Sequence, residues 1–390
     1  MKLIVKSNRV GPIINGHPWI FSGALKSIPE GLESGAPVFV YGEDSKFLGQ
    51  GYFNSYSQIS VRLWSYDENE AIDEKFFEKR ILQALKLRRR FIDEKKTNAY
   101  RLINGENDFL PGLVVDKYAD YLVVQFHTRG MEKFHKEIVV ALKKIIDPKG
   151  IYERSSQRAK QVEGAGMVSG LISGEVPDLI KIKENGLLFH VDVKNGQKTG
   201  FFLDQRDKRL AVQNASGGKT VLNCFSYTAG FSVYALSGGA NKTVSVDVSG
   251  EALELAKENV RLNKLNLKKC EFVCADVKDY LKTEKNKYDI VILDPPAFIK
   301  DRHKIQEGLK GYRRLNEQGA KVCAESALLI TCSCSSHLSM EDFRFVVCQG
   351  ISVSHRSAQI VGSLTHSCDH PLLPAFTESD YLKCLILDIS

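Results

Sequence analysis

Two stretches of this chain end apolar runs in residues that can do chemistry. Tyr288-Asp289-Ile290-Val291-Ile292-Leu293 runs into Asp294-Pro295-Pro296-Ala297-Phe298, and Ala327-Leu328-Leu329-Ile330 runs into Thr331-Cys332-Ser333-Cys334-Ser335. An apolar run stopped abruptly by polar residues is the pattern of a buried parallel strand whose carboxyl end opens into a crevice, where α/β enzymes keep their ligands. One end offers a carboxylate beside a rigid Pro-Pro turn and the next offers a thiol. An acidic group and a soft nucleophile can therefore face one flat substrate.

Strands of this kind need neighbours, and the chain supplies them from Thr220 onward. Strand patterns at 220–224, 243–248, 271–275, 289–293 and 327–331 alternate with helical ones through 231–236 and 251–263. In the second helix Ala252, Leu255, Ala256 and Val260 share a face. The alternation predicts an α/β fold with a doubly wound parallel sheet. A late strand at 381–387 follows a Pro-containing loop and no crossover helix, so it is expected to run antiparallel.

Ahead of that region, residues 1–70 are rich in Gly and in short β-type runs such as 36–41 and 59–64, which predicts a small, mostly β module. Residues 74–90 space Phe77, Ile81, Leu85 and Leu87 as a helix does, with Arg88, Arg89 and Arg90 at its end. Cations suit that end of the helix dipole, and Arg88 and Arg89 are candidate phosphate contacts. The runs 113–116 and 121–126 flank Lys117-Tyr118-Ala119-Asp120 as a β-hairpin. A helix over 131–145 and a strand pair around 187–193 complete a central α+β domain, 71–195, before a loop at Asn195-Gly196-Gln197-Lys198-Thr199-Gly200. The final domain is expected over 196–390.

The chain of 390 residues is long enough for two or three domains, and its 54 Lys and Arg against 47 Asp and Glu leave a net charge of +7. That excess permits a nucleic-acid partner without the strong basicity of a histone. The first ten residues lack the apolar core of a signal peptide, and no run reaches the roughly 18 residues of a membrane span, so a cytoplasmic location is expected. Nine scattered cysteines read as reduced thiols, most of them small core residues, Cys270 and Cys274 among them.

Acidic residues close three of the strand patterns: Asp247, Asp276 and Asp294. A carboxylate ending the second strand suits a ribose diol, and Asp276 is then placed for an adenine amino group. Each alone would more often cap a helix, and their recurrence after successive strands favours the ligand role. The first loop, Asn223-Cys224-Phe225-Ser226-Tyr227-Thr228-Ala229-Gly230, lacks the G-x-G-x-x-G of dinucleotide dehydrogenases. Gly217-Gly218-Lys219-Thr220 precedes a strand where a phosphate-binding loop would follow one. His366-Ser367-Cys368-Asp369-His370 is too compact and has no paired ligand cluster, so no metal is expected.

Taken together, Gly196-Gln197-Lys198-Thr199-Gly200-Phe201-Phe202-Leu203-Asp204-Gln205-Arg206, the 223–230 loop, Asp294-Pro295-Pro296-Ala297-Phe298 and Thr331-Cys332-Ser333-Cys334-Ser335 resemble the large-subunit ribosomal RNA cytosine-5 methyltransferase I family. The resemblance extends to His17-Pro18-Trp19-Ile20-Phe21-Ser22 and to 101–112, so it spans nearly the whole chain. It implies an amino-terminal PUA domain for RNA, a central hairpin-containing domain and a Rossmann-like domain using S-adenosylmethionine. The cofactor set it implies is Asn223, Phe225, Ser226, Tyr227, Asp247, Asp276 and Asp294. The catalytic pair is Cys334 with Asp294, and Gln205, Arg206, Pro295, Pro296 and Phe298 join Arg88 and Arg89 as substrate candidates.

The chemistry accounts for a thiol. Cytosine C5 is a poor nucleophile until a thiolate adds to C6 and turns the ring into an enamine, with Asp294 holding N3. Ala297 stands where many RNA cytosine-5 methyltransferases carry a second Cys, so the group that assists C5 proton removal is unassigned. Cys332 and Cys334 would share one face of a continuous strand, and spacing alone does not choose between them. Cys334 matches the family's Ser-Cys-Ser position and lies nearer the strand end, which leaves Cys332 to the core. The rival activities are a guanine methyltransferase, which needs no nucleophilic Cys, and a non-catalytic RNA-binding assembly factor. The expected assembly is a monomer or homodimer.

Overall fold

Apolar runs bounded by turn residues fold into sheets of five, five, two and seven strands in the computed structural model, which describes residues 1–155 and 169–390. By contact the chain divides into two compact units. One comprises Met1–Lys183, Val191–Leu203 and Cys368–Thr377, and the other Glu184–His190, Asp204–Ser367 and Glu378–Ser390.

The first unit starts with β1 (Lys2–Val5), α1 (Gly11–Ile14), β2 (Trp19–Phe21), β3 (Pro37–Gly42), β4 (Phe47–Phe53) and β5 (Ile59–Ser65), ordered β1-β3-β4-β5-β2. Leu3, Val5, Val38, Val40, Val61 and Leu63 fill its core. Strand β4 escapes a reading by apolar pattern because glycines interrupt it. Gly51 is required there, since a Cβ would meet the Arg62 carbonyl oxygen at 2.0 Å.

Helix α2 (Glu74–Phe91) begins where Asp73 accepts a hydrogen bond from the Phe76 amide at 3.0 Å. It buries Phe77, Ile81 and Leu85 on one face, at the i, i+4, i+8 spacing. A second sheet, ordered β10-β9-β8-β7-β6, follows from β6 (Ala99–Asn104), β7 (Leu113–Tyr118), β8 (Tyr121–Phe126), β9 (Gly150–Glu153) and β10 (Gly170–Gly174). The β7–β8 hairpin is tighter than expected: Lys117 and Tyr118 belong to the strand, and Ala119 turns the chain with φ 53°.

The helix expected over 131–145 is two, α3 (Arg129–Lys133) and α4 (His135–Ile146). The break falls at Phe134, whose ring packs 5.4 Å from Trp64 and 5.1 Å from Phe77. Burying that ring outweighs helical continuity. Tyr52 and Trp64 of the first sheet thereby join α2 and the second sheet in one core.

A ribbon of β11 (Ile180–Glu184) and β12 (Leu187–Val191) comes next, its residues Glu184–His190 counted in the second unit. That unit contains α5 (Arg206–Ala215), β13 (Thr220–Cys224), α6 (Gly230–Ser237), β14 (Lys242–Asp247), α7 (Gly250–Leu262), β15 (Cys270–Cys274), α8 (Val277–Thr283), β16 (Tyr288–Leu293), α9 (Ile305–Val322), β17 (Cys323–Ser333), α10 (Met340–Val353), β18 (Ala358–Leu364) and β19 (Lys383–Ile389). The sheet order is β15-β14-β13-β16-β17-β19-β18. Strands β13 to β17 are mutually parallel where they pair, while β19 runs antiparallel to both β17 and β18, as expected for the late strand.

Two expectations need correction. Residues 336–380 are more than a Pro-containing loop, because they hold α10 and β18. Ser339 caps α10 by accepting from the Asp342 amide at 3.0 Å, and Phe343, Val346, Val347 and Ile351 bury one face. Cys270 and Cys274 are not core residues. They lie on β15, an edge strand, where Cys270 is partly exposed and Cys274 exposed.

Candidate active site

Parallel strands put their carboxyl ends along one edge of a sheet, and the crevice opens where the strand order reverses. Here that point is β13, flanked by β14 on one side and β16 on the other. Asp247 is the last residue of β14, Asp294 follows β16 directly, and Cys334 follows β17 directly.

The two cysteines differ in kind. Cys332 is fully buried within β17 and sits opposite Cys384 of β19. The Cys384 thiol, and then burial, push the Cys332 thiol well above the ordinary value, so it stays protonated. Cys334 lies beyond the strand, is partly exposed, and places Sγ 3.8 Å from the Pro295 carbonyl oxygen.

Hydroxyl groups fix the turn that presents Cys334. Ser333 donates to the Tyr312 hydroxyl at 2.8 Å, Tyr312 pairs with the Ser335 hydroxyl at 2.9 Å, and Ser335 accepts from the Ile299 amide at 3.2 Å. The Pro-Pro loop is thus tied to the cysteine turn through Ser335, and one buried tyrosine on α9 braces the two serines of that turn. Burial first of all raises the Tyr312 pKa, which keeps its hydroxyl a neutral donor. Tyr312→Phe is expected to cost about 1–3 kcal/mol, the penalty for buried partners left unpaired. Equilibrium urea unfolding measures it, and an unchanged midpoint would show that the hydroxyl is not a tether.

Asp294 is gripped from one side. The Gln205 amide nitrogen lies 2.9 Å from both carboxylate oxygens, and Gln205 is itself buried. Tyr381 donates to Asp204 at 2.7 Å, and Lys208, fully buried on α5, donates to the Thr365 carbonyl at 2.6 Å. These bonds anchor the segment that delivers Gln205.

The 223–230 loop follows β13 with three non-glycine residues in the left-handed region: Phe225 at φ 59°, Tyr227 at 47° and Ala229 at 58°. Such conformations cost roughly 1–3 kcal/mol each and persist only where surroundings impose them. Asp247 is one such constraint, accepting from the Tyr227 amide at 2.8 Å and the Ser249 amide at 2.9 Å. Ser226 donates its amide to the Val246 carbonyl, yet its hydroxyl oxygen and Asn223 Oδ1 are buried with no hydrogen-bond partner among the described residues. Orphaned polar atoms beside a strand-end carboxylate form a donor and acceptor set that fits a ribose or an amino-acid group. Asp276 is exposed and caps α8, accepting from the Lys278 amide at 2.8 Å and more weakly from Asp279.

The chain is 37% identical to the ribosomal RNA large subunit methyltransferase I of Shigella dysenteriae serotype 1 (strain Sd197), over 98% of this chain and 97% of that protein. It belongs to the ribosomal RNA large subunit methyltransferase I family. The Escherichia coli O139:H28 (strain E24377A / ETEC) protein of that name is 36% identical over 98% of both chains. Residues 161–352 match the S-adenosylmethionine-dependent methyltransferase family and residues 3–66 the PUA-like domain family. A solved structure, the putative methyltransferase SMU.776 complexed with SAH, superposes with a TM-score of 0.88 over 100% of both chains at 28% identity. The cofactor of this family member is S-adenosylmethionine, and its fold is the expected PUA-like module with a Rossmann-like methyltransferase domain.

Within this methyltransferase I family chain, several residues expected at the substrate are buried or engaged by other side chains. Arg88 is buried, forming a two-pronged pair with Asp108 at 2.5 and 2.7 Å, so it is structural and does not meet phosphate. Arg206 is likewise buried, with Nε 4.0 Å from the Asp207 carboxylate. Gln205 acts on Asp294. Arg89 does reach the surface, 59% exposed and 3.4 Å from Glu94. Pro296 is exposed, Pro295 is buried, and Phe298 is partly buried against Tyr312 with the Lys278 ammonium 5.4 Å above its ring.

Sequence reasoning missed Tyr312 and Lys383. Tyr312 gives no local signal, since its role depends on where α9 packs. Lys383 does give one: it is a charged residue inside the apolar run Leu382-Lys383-Cys384-Leu385. A buried lysine needs a reason.

Proposed function

We propose that the chain methylates carbon 5 of a cytosine in large-subunit ribosomal RNA, with Cys334 as the nucleophile and Asp294 as the acid group beside it. The observation that carries this reading is the contrast between two thiols two residues apart, one sealed in the sheet and the other partly exposed at a strand end next to the Pro-Pro turn. A guanine methyltransferase has no use for that second thiol.

Bound S-adenosylmethionine supplies an electrophilic methyl group. Asp247 and the 223–230 backbone are the groups that would hold it, with Ser226, Asn223 and Asp276 beside them and Phe225 and Tyr227 shaping the loop. The target base, single-stranded or drawn from its stack, lies over the Pro296-Ala297-Phe298 turn. Cys334 adds as thiolate to C6 while Asp294, steadied by Gln205, gives a proton to N3 and neutralises the charge that develops, so that C5 becomes nucleophilic and would take the methyl group from the sulfonium. Loss of the C5 proton then expels the thiolate. The PUA-like module and the exposed Arg89 supply backbone contacts, so RNA affinity should fall with rising salt.

Asp247→Ala is expected to weaken S-adenosylmethionine binding by about 1.5–3 kcal/mol, the usual loss for hydrogen bonds to a charged group. Asp247→Asn keeps an acceptor for one of the two loop amides, so comparing its stability with that of Asp247→Ala reads how far the loop depends on them. Calorimetry on the folded variants decides it, and wild-type affinity in Asp247→Ala would move the ribose elsewhere.

RNA carrying 5-fluorocytosine at the target should trap the protein, because fluorine does not leave as a proton does. A denaturant-resistant adduct mapped to the Cys334 peptide supports the mechanism. Methylated guanine in ribosomal RNA, with no cytosine change between cells with and without the gene, would overturn it.

A further inference from the structure

Lys383 opens β19 opposite Ser333 and is 3% exposed. Its ammonium donates to the Ser335 carbonyl at 3.2 Å and to the Asp380 carbonyl at 2.9 Å. Both acceptors are neutral, and among the described residues no carboxylate lies within ion-pair distance of it. Burying an ammonium with no ion-pair partner in contact is unfavourable. One acceptor, Ser335, is the residue directly after Cys334. The cation is thus fixed to the turn that presents the candidate nucleophile.

We infer that Lys383 is a positioning residue for Cys334, its buried ammonium serving as the counter-charge that holds the thiol ionised. The inference rests on Cys334 being the nucleophile and adds how that sulfur is activated. Among the other groups around this site, Lys208 of α5 is a buried cation whose charge acts on the Cys332 thiol. Tyr312, from α9, is neutral. Asp294, after β16, has its carboxyl group bound by Gln205. Asp380 precedes β19 and is half exposed, and His337, in the loop after β17, is exposed. Cys332 remains a protonated thiol.

The electrostatics run the same way. Burial pulls Lys383 below the ordinary lysine value, and the Asp380 carboxylate and then the Cys334 sulfur pull it back up. Coupling between two titrating groups is reciprocal, so a thiolate that stabilises the ammonium is stabilised by it to the same degree. A cation beside a cysteine commonly lowers its pKa from about 8.5 into a range of roughly 3.5–7.5.

The test is the pH dependence of Cys334 alkylation by iodoacetamide in the full chain, read by peptide mass mapping, with N-acetylcysteine amide alongside. In the wild type the Cys334 midpoint should lie at least about one pH unit below the small thiol, a tenfold gain in thiolate below both midpoints. Lys383→Met should raise the midpoint by about one unit, and Lys383→Arg, which keeps the charge, should restore most of it. A merely structural lysine would alter unfolding without moving that midpoint.

If Lys383→Met fails to fold, the wild-type midpoint decides, and a value at or above the reference thiol overturns the inference. An unmoved midpoint in folded Lys383→Met overturns it too. A lowered, lysine-dependent midpoint in a protein whose Cys334→Ala variant still methylates RNA would instead remove the nucleophile reading. The thiol and activity measurements therefore fail separately.

Discussion

Cys334→Ala is expected to abolish methyl transfer while leaving the fold and S-adenosylmethionine binding intact. The substitution removes one sulfur from a partly exposed site, and the turn around it is held by other groups: Tyr312, Ser333, Ser335 and the Lys383 bond to the Ser335 carbonyl. Alanine leaves these partners in place, so little stability is at stake. Chemistry is another matter, since without the C6 adduct the C5 carbon is not nucleophilic enough to react at a useful rate. Cys332→Ala should behave oppositely, retaining activity and losing some stability from its buried place beside Cys384. Radiolabelled methyl transfer to ribosomal RNA, with calorimetry for the cofactor, reads both variants. Robust activity in Cys334→Ala would sink the cytosine-5 mechanism, and activity lost only in Cys332→Ala would move the nucleophile.

Arg88→Met should cost about 3–5 kcal/mol of stability, the expected penalty for breaking a buried ion pair from one side. Its guanidinium is fully enclosed. It binds both Asp108 oxygens and also donates to the Arg101 and Asp369 carbonyls, each at 2.9 Å. Asp108 is left with the Asn104 amide at 2.6 Å and no cation. Adding Asp108→Leu should recover part of the loss by removing the stranded charge, though not all, because Asn104 then lacks its acceptor. Guanidinium unfolding of the wild type, the single variant and the double variant tests both expectations. A single-variant cost below about 1 kcal/mol, the scale of an exposed pair, would show that the pair is solvated in solution.

Arg88 also illustrates the limit of reading a chain by pattern. Three successive arginines at a helix end look alike in sequence, yet α2 turns Arg88 inward onto Asp108 and leaves Arg89 outside. The partner is twenty residues away and the Asp369 carbonyl far further, so nothing local distinguishes them. The parallel strands were legible because burial on both faces leaves unbroken apolar runs, as in β13 and β16. Strand β18 was not, because it lies at a sheet edge with mostly exposed residues and no alternation. The strand-end residues Asp247, Asp294 and Cys334 can be named from motif position, while the Gln205 contact with Asp294 has no local signal because it depends on packing across 89 residues. Asp276 shows why position alone does not assign a role, since a helix cap and a ligand carboxylate occupy the same place after a strand.

The placement of β19 sets an order on biosynthesis. It is inserted between β17 and β18, so the seven-stranded sheet cannot close as residues emerge one after another. A nascent chain that has reached β18 carries β17 with an open apolar edge, a template for pairing with another chain. Only the arrival of Lys383–Ile389 seals it, and the same seven residues bring the ammonium to the cysteine turn. Ribosome-stalled intermediates ending before Lys383 should therefore be aggregation-prone and carry Cys334 as an ordinary thiol, so that covalent reactivity appears only once the sheet is closed.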